Sequence, residues 1–168
     1  GWRGHGQFFI LQQDEDGDHG IEADNLEDYH DNLPRSNPTV YNLTLIGTTG
    51  NRAILLRRGT AGRLANIVAV GHGTSAVDIR NTESTDCWQG CTTDGERSVL
   101  SIDGAIFFNI GEGGNTFFED EPAGSEDDDD GGWVEADNLN EDRQIVVGTD
   151  PGLVRPSDLL NPDFRPSE

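Results

Sequence analysis

The stretch that decides the fold is residues 41–58, YNLTLIGTTGNRAILLRR, in which two apolar runs flank a short turn containing glycine. The same order recurs on both sides of it. QFFILQQ (7–13) leads to GIEADN (20–25), and LANIVAVG (64–71) leads to SAVDIRN (75–81). Apolar runs with period-two alternation are typical of strands. Their repetition, without helix-period segments between them, predicts a solenoid wound from β-strands.

We therefore expect an all-β, right-handed, single-stranded parallel β-helix, present as a partial coil. Its predicted strands are residues 7–13, 20–25, 38–47, 52–58, 64–71, 75–81 and 99–110. A fourth unit joins SIDGAIFFNIG (101–111) to NTFFED (115–120), with a register left open by one residue because its turn is shorter.

Aligning the second strand of each unit predicts which side chains face the core. Side chains alternate between the two faces of a strand, so apolar residues in one column share the inner face. The predicted core columns are Ile21, Ile54 and Val77, then Ala23, Leu56 and Ile79. The outward columns are Glu22, Leu55 and Asp78, then Asp24, Arg57 and Arg80. Asp24 is expected beside Arg57, whereas Arg57 and Arg80 repel unless Asp78 or an anion lies between them.

Charge restricts the kinds of partner. The chain carries 32 acidic residues against 11 arginines, contains no lysine and has a formal net charge of −21. Such a surface disfavours nucleic acid and anionic membranes, which need a basic patch. It predicts adaptation to high salt, where screening relieves self-repulsion; the alternative is an acidic secreted protein that binds divalent cations. No apolar stretch approaches the roughly 20 residues that span a bilayer.

The two ends of the chain differ. Residues 1–148 are interpreted as β-helix rungs with long acidic loops. Residues 149–168 form a tail containing Pro151, Pro156, Pro162 and Pro166, which could cap the last rung. The chain opens directly on a predicted strand, whose free edge is expected to contact another polypeptide. That polypeptide is either further rungs of a parent chain or a neighbouring subunit.

Two cysteines, Cys87 and Cys91, lie in a predicted polar loop after residue 81. A disulfide between them would suit an oxidising, extracellular setting, and two free thiols are the alternative. A single pair offers too few ligands for a structural metal site.

Acidic loops are the candidate cation sites. Asp14, Asp16 and Asp18 alternate as in the start of a calcium loop, although the EF-hand pattern is incomplete. A second acidic run (126–130) and the first each precede nearly the same hexapeptide, IEADNL (21–26) and VEADNL (134–139). This repetition of the hexapeptide indicates repeat ancestry or two similar Ca²⁺ sites. The alternative is that both acidic runs are solvated loops. Four histidines are scattered along the chain, and their spacing does not show whether any converge on a metal.

Several segments together resemble one family of bacterial secreted proteins. They are GWRGHGQFFILQQD (1–14), DHGIEADN (18–25), PRSNPTVYNLTLIG (34–47), ILLRRGTAG (54–62) and DPGLVRPSDLLNPDFRP (150–166). The family consists of right-handed parallel β-helix proteins of the pectate-lyase-like superfamily, and the chain is similar to their C-terminal half. The resemblance implies export and a secreted or cell-surface location. It supplies no established activity or catalytic residues.

Two functions from different classes follow. The first is an extracellular or cell-surface β-helix module with a structural, adhesive or assembly role. The second is a polysaccharide lyase or glycoside hydrolase that works on an outward strand face, with paired carboxylates or an arginine base beside calcium. The catalytic candidates would then be Glu22, Asp24, Arg57, Asp78 and Arg80.

Overall fold

The structure is a computed structural model. It describes residues 2–48, 50, 52–93, 96–119, 124, 129–158 and 160–167. Strands β1 to β6 are His5–Gln12, His19–Asp24, Thr39–Ile46, Arg52–Arg57, Gly62–Val70 and Val77–Ile79. They are followed by helix α1 (Thr82–Gln89), β7 (Cys91–Thr93), β8 (Glu96–Ser98) and β9 (Leu100–Phe108). The rest contains α2 (Glu135–Asn138), β10 (Ile145–Val147), β11 (Leu153–Arg155) and β12 (Asp163–Pro166), with 3₁₀ turns at Glu112–Gly114 and Glu141–Arg143.

The first six strands belong alternately to two parallel sheets. The first sheet has the order β1-β3-β5-β9-β10, and the second has the order β2-β4-β6. Every pairing within these two sheets is parallel. We call a strand of the first sheet together with the following strand of the second sheet a rung. The fold is thus mainly β, with stacked parallel strands as the repeats predicted.

The predicted register of the second sheet is confirmed. Ile21 pairs with Ile54 and Ala23 with Leu56, and the next strand continues both columns with Val77 and Ile79. Ile54, Leu56, Val77 and Ile79 are buried, whereas Ile21 and Ala23 are only partly buried against the core. The reason is position: β2 is the edge strand of its sheet, so its inner face is covered from one side only.

Strands of the first sheet bend at one position. Phe8, Asn42, Asn66 and Gly104 are neighbours in register, and all have positive φ, between 57° and 65°. The bend shifts the alternation by one residue, so that buried Leu64 is followed by buried Ile67. Asparagine and glycine tolerate this left-handed conformation. Asn66 Nδ2 also donates to Asn42 Oδ1 at 3.2 Å, which links two strands across the bend.

Several segments depart from expectation. Residues 82–89, predicted to be a polar loop, form helix α1, whose buried face includes Cys87 and Trp88. In the fourth unit, residues 115–119 form no regular strand, and Asp120 lies outside the described residues. Phe118 nevertheless makes an isolated parallel bridge with Val77, which places it in the Ile21–Ile54–Val77 column. The unpredicted strand β10 pairs with β9 and adds a fifth strand to the first sheet.

The C-terminal tail forms a small antiparallel hairpin of β11 and β12. One contact of the tail with the rungs lies near the first strand, where Gln12 Nε2 donates to the carbonyl of Pro156 at 2.9 Å. The cap over the last rung stays a prediction.

Candidate functional site

The predicted outward columns lie next to one another in the second sheet. Glu22 pairs in register with Leu55, and Leu55 pairs with Asp78, while Asp24 pairs with Arg57. The parallel register therefore brings the candidate residues of three separate sequence repeats onto one surface. We call this surface the outer face of the second sheet.

Part of this outer face is not exposed, contrary to expectation. Leu55 retains 1% of its accessible surface and Asp78 retains none. Arg52 and Arg80 both contact the Asp78 carboxylate. Period-two alternation predicts which way a side chain points, but it does not predict what covers that side chain afterwards. Asp78 is thus a buried carboxylate and not an accessible one.

Arginines near the N-terminal edge are held by carboxylates on both sides. Arg57 Nε donates to Asp24 Oδ1 at 2.9 Å, and Arg57 Nη2 donates to Glu22. Arg58 Nη1 donates to the other Asp24 oxygen at 2.8 Å, and Arg58 Nη2 donates to Glu27. Burial of Arg57 opposes its charge, but its bonds to Asp24 and Glu22 raise its pKa above the ordinary value. The predicted neighbour pair of Asp24 and Arg57 is therefore present.

A second group of charges surrounds Asp78. Its carboxylate lies 2.7 Å from Arg52 Nε and 2.9 Å from Arg80 Nε. Glu119 accepts from Arg52 through both oxygens, at 2.6 and 2.7 Å, and accepts from Ser75 at 3.2 Å. Sequence reasoning missed Arg52 and Glu119 as members of this group. Glu119 follows Phe118, whose bridge to Val77 places it beside β6, so correct alignment of the fourth unit could have revealed it.

The two carboxylates of this group have pKa values displaced in opposite directions. Burial raises the pKa of Asp78 from 3.8 to about 6, and the attraction of Arg80 and Arg52 offsets only part of that effect. Burial also opposes ionisation of Glu119, but its bonds from Arg52 outweigh burial and lower its pKa. Two carboxyl groups with separated pKa values are the arrangement used in acid–base catalysis. Here, however, both are already engaged by arginines.

The predicted calcium ligands lie in the turn before β2. Asp14 Oδ1 accepts the backbone N–H of Asp16 at 3.2 Å, and the Asp14 carbonyl accepts from Thr48. Asp18 does not join Asp14 in the ligand cluster that the described residues form; it lies with His19 and Glu22 instead. Of the second acidic run, residues 126–128 lie outside the described part of the chain. Asp129 and Asp130 accept backbone N–H groups of Asn81 and of Gly132 and Trp133.

Two histidines lie close together at the start of the second sheet. The His72 ring fills space between chain turns: a Cβ added at Gly47 would lie 2.4 Å from it, and one added at Gly20 would lie 3.3 Å from it. Burial lowers the pKa of His72 to about 4, so the ring is neutral at physiological pH. Burial lowers the pKa of His19 as well, against the opposing charge of Asp18. His72 therefore has a packing role.

Cys87 and Cys91 form a disulfide, with their Cα atoms 4.5 Å apart. It joins the end of α1 to the start of β7. The neighbouring Trp88 packs edge-to-face on Trp133 with ring centroids 5.4 Å apart, and Arg143 lies over the Trp88 ring at 4.5 Å. This group of bonds and ring contacts fixes α1 against the later part of the chain.

The N-terminal end of the rungs contains an apolar pocket of about 390 Å³. Trp2, Phe9, Leu11, Ile21 and Ala23 line it together with deeper core residues. Those deeper residues include Val40, Leu43, Leu56, Leu64 and Leu100. The lining also includes Glu22, Asp24, Ser36, Pro38 and Gly62. The pocket is therefore the core between the sheets, seen where the first rung leaves it uncovered.

Comparison with known families gives one match. A family model described as a pectate-lyase-like β-helix domain matches residues 1–112, which is two thirds of the chain. The chain belongs to this pectate-lyase-like β-helix family. The match spans β1 to β9 and ends before α2 and β10. No curated protein and no solved structure matches the chain.

Among the residues that the structure describes, no helix has the length and apolar character needed to cross a bilayer.

Proposed function

We propose that the domain is a non-catalytic structural module of an exported protein, built as a right-handed parallel β-helix that assembles through its N-terminal rung. The observation that carries this proposal is the uncovered apolar pocket at that rung. A structural solenoid needs its terminal rungs covered, since an open rung exposes both apolar core and unpaired backbone groups.

Both strands of the first rung have a free edge. Among the residues that the structure describes, β1 pairs with β3 alone and β2 pairs with β4 alone. Large apolar side chains are also exposed along β1, with Phe8 at 74%, Ile10 at 53% and Phe9 at 41% of their accessible surface. Contiguous apolar patches beside unpaired strands mark sites of protein association. This end therefore suits a partner that adds a strand and apolar side chains together.

The partner that fits is a further β-helical rung, either of a parent chain or of a neighbouring subunit. One rung carries two strands joined by a turn, so it can pair with β1 and β2 at once. Its inward apolar residues would fill the pocket lined by Trp2, Phe9 and Leu11. A single added strand would satisfy only one of the two free edges.

The outer face of the second sheet supports a non-catalytic role. Arg57 is bonded by Glu22 and Asp24, and Asp78 has no accessible surface. A catalytic arginine base or carboxylate must reach its substrate. The charges of this face instead satisfy one another, as in a structural ion-pair network.

A polysaccharide lyase or glycoside hydrolase is the second candidate. One observation favours it: Asp78, with its pKa raised to about 6, sits beside Glu119, whose pKa is lowered. This candidate predicts release of reducing ends or unsaturated sugars from neutral or acidic polysaccharides, with activity lost in Asp78→Asn and retained in Glu27→Gln. Absence of product from every polysaccharide class, with and without Ca²⁺, would exclude it.

Assembly is tested by the mass of the purified chain in solution and by amide hydrogen exchange. We expect concentration-dependent association, with amides of residues 8–12 becoming protected as the assembly forms. Phe9→Lys, which places a charge at the pocket, should weaken the association. Leu160→Lys, which places the same charge at a side chain that is 97% exposed in the tail and lies outside the lining of this pocket, is the matched control. A monomer in which residues 8–12 exchange as slowly as residues 67–70 would contradict the proposal.

We also propose that the acidic surface is an adaptation to high salt and to a secreted or cell-surface location. The melting temperature should then rise as NaCl increases from dilute to molar concentration. Repulsion within a net charge of −21 is strongly screened, whereas partly buried pairs such as Arg52–Asp78 are screened less. A melting temperature that stays flat or falls with NaCl would reject the adaptation.

The same calorimetric series distinguishes a specific effect of Ca²⁺ on the melting temperature from the general effect of salt. If Asp14, Asp16 and Asp18 bind Ca²⁺, as their alternation predicts, Ca²⁺ at fixed ionic strength should raise the melting temperature and EDTA should lower it. Asp14→Asn combined with Asp16→Asn should abolish that response. An unchanged Ca²⁺ response in this double variant would place the cation elsewhere.

A further inference from the structure

We propose a zinc site at the start of β2, formed by Asp18, His19 and Glu22. Each residue offers one donor atom, and these three atoms lie within 4.8 Å of one another. The site differs in ligand chemistry from the predicted calcium loop because it contains an imidazole nitrogen. Nitrogen ligands suit Zn²⁺ and related transition metals, whereas Ca²⁺ binds through oxygen.

His19 is the ligand that distinguishes this cluster from a solvated acidic loop. Its side chain retains only 9% of its accessible surface. Ring atom Nδ1 is buried and has no hydrogen-bond partner among the residues that the structure describes. Ring atom Nε2 lies 3.3 Å from Asp18 Oδ1. A largely buried imidazole whose Nε2 faces Asp18, in a donor cluster that also contains Glu22, is a set of ligands that a cation would complete.

The spacing of the donors fits tetrahedral coordination. Two ligands bound to zinc at about 2.0–2.1 Å, with a tetrahedral angle between them, lie roughly 3.3–3.4 Å apart. The distance from His19 Nε2 to Asp18 Oδ1 is 3.3 Å. The Glu22 carboxylate is the third donor, since the three donor atoms lie within 4.8 Å of one another.

Surrounding residues orient this cluster. Arg57 donates to Glu22 and, through a second nitrogen, to Asp24, so the Glu22 carboxylate is held at the strand surface. Gln13 Nε2 donates to the His19 carbonyl at 2.5 Å and fixes the backbone at the entrance to β2. Such supporting contacts preorganise metal ligands. Arg57 also competes for Glu22, and the site should therefore bind Zn²⁺ more weakly than a closed structural site.

The test is Zn²⁺ titration of the full chain by calorimetry at fixed ionic strength, with excess Ca²⁺ present to occupy oxygen-only sites. We expect one Zn²⁺ per chain, and we expect His19→Ala to weaken it by about tenfold or more. His5→Ala is the matched control, because His5 is exposed on the neighbouring strand β1 and belongs to no ligand cluster among the described residues. The Zn²⁺ affinity of the His5→Ala variant should equal that of the wild type.

A second variant shows whether weaker Zn²⁺ binding comes from loss of a ligand or from loss of structure. Asp18 is mostly exposed, so Asp18→Asn should leave the melting temperature of the metal-free protein unchanged while weakening Zn²⁺. Visible absorption of the Co²⁺-substituted protein should show a tetrahedral spectrum that is lost in both His19→Ala and Asp18→Asn. Equal Zn²⁺ affinity in His19→Ala and wild type, or complete displacement of Zn²⁺ by Ca²⁺, would overturn the proposal.

Discussion

Leu56→Ala is expected to destabilise the protein by about 2–5 kcal/mol, as core truncations do. Leu56 retains 2% of its accessible surface and lies in register between Ala23 and Ile79. It also lines the N-terminal pocket, so truncation enlarges a cavity that the terminal rung already leaves open. Urea denaturation followed by circular dichroism measures the change in the free energy of unfolding.

Leu160→Ala is the matched control for this truncation. The Leu160 side chain is 97% exposed, and removing it should change the free energy of unfolding by less than about 0.5 kcal/mol. If Leu56→Ala were as mild as this control, the Ala23–Leu56–Ile79 column would not be the core of the protein. The register of the second sheet would then have to be reconsidered.

Asp78→Asn is expected to change the pH dependence of stability. Burial raises the pKa of Asp78 from 3.8 to about 6, so the folded protein holds this proton more tightly than the unfolded chain does. Between these two values the folded state binds more protons, and wild-type stability falls as pH rises. Relative to Asp78→Asn, the wild type should therefore lose roughly 3 kcal/mol between about pH 4 and pH 6, and no more above that range.

Glu27→Gln is the comparison variant for that experiment. Glu27 also pairs with an arginine, Arg58, but its side chain is 73% exposed, and exposed pairs contribute about 0–1 kcal/mol. Its difference from the wild type should stay nearly constant across the same pH range. A constant difference for Asp78→Asn too would mean that Arg52 and Arg80 fully offset the burial of the carboxylate.

The columns of the second sheet could be read from sequence because they depend on local rules. Alternation along a strand is set by backbone geometry, and stacking repeats of the same pattern aligns equivalent positions. Ile54, Leu56, Val77 and Ile79 were therefore predicted correctly as core. The bend at Asn42 and Asn66 was not predicted, because the apolar runs were interpreted as straight strands.

The candidate site depended on contacts that local rules do not contain. Asp78 was placed on the outer face, but the sequence did not reveal that Arg52, Arg80 and Glu119 gather around it. Glu119 is 41 positions from Asp78 along the chain and reaches the site because Phe118 bridges to Val77. Burial of a charge is decided by such distant neighbours, and with it the direction of the pKa shift.

The repeated hexapeptide shows most directly which features depend on the sequence alone and which depend on tertiary structure. In IEADNL the residues from Ile21 to Asp24 belong to strand β2, and Glu22 bonds Arg57 near the surface. In VEADNL the residues from Glu135 to Asn138 form helix α2, and the buried Glu135 carboxylate accepts the N–H of Ile79 at 2.8 Å. Sequence determined the strand stacking, because each repeat buries its apolar face on the next. Tertiary structure decided strand or helix for the shared hexapeptide, since intrinsic propensities are weak and the neighbouring groups outweigh them.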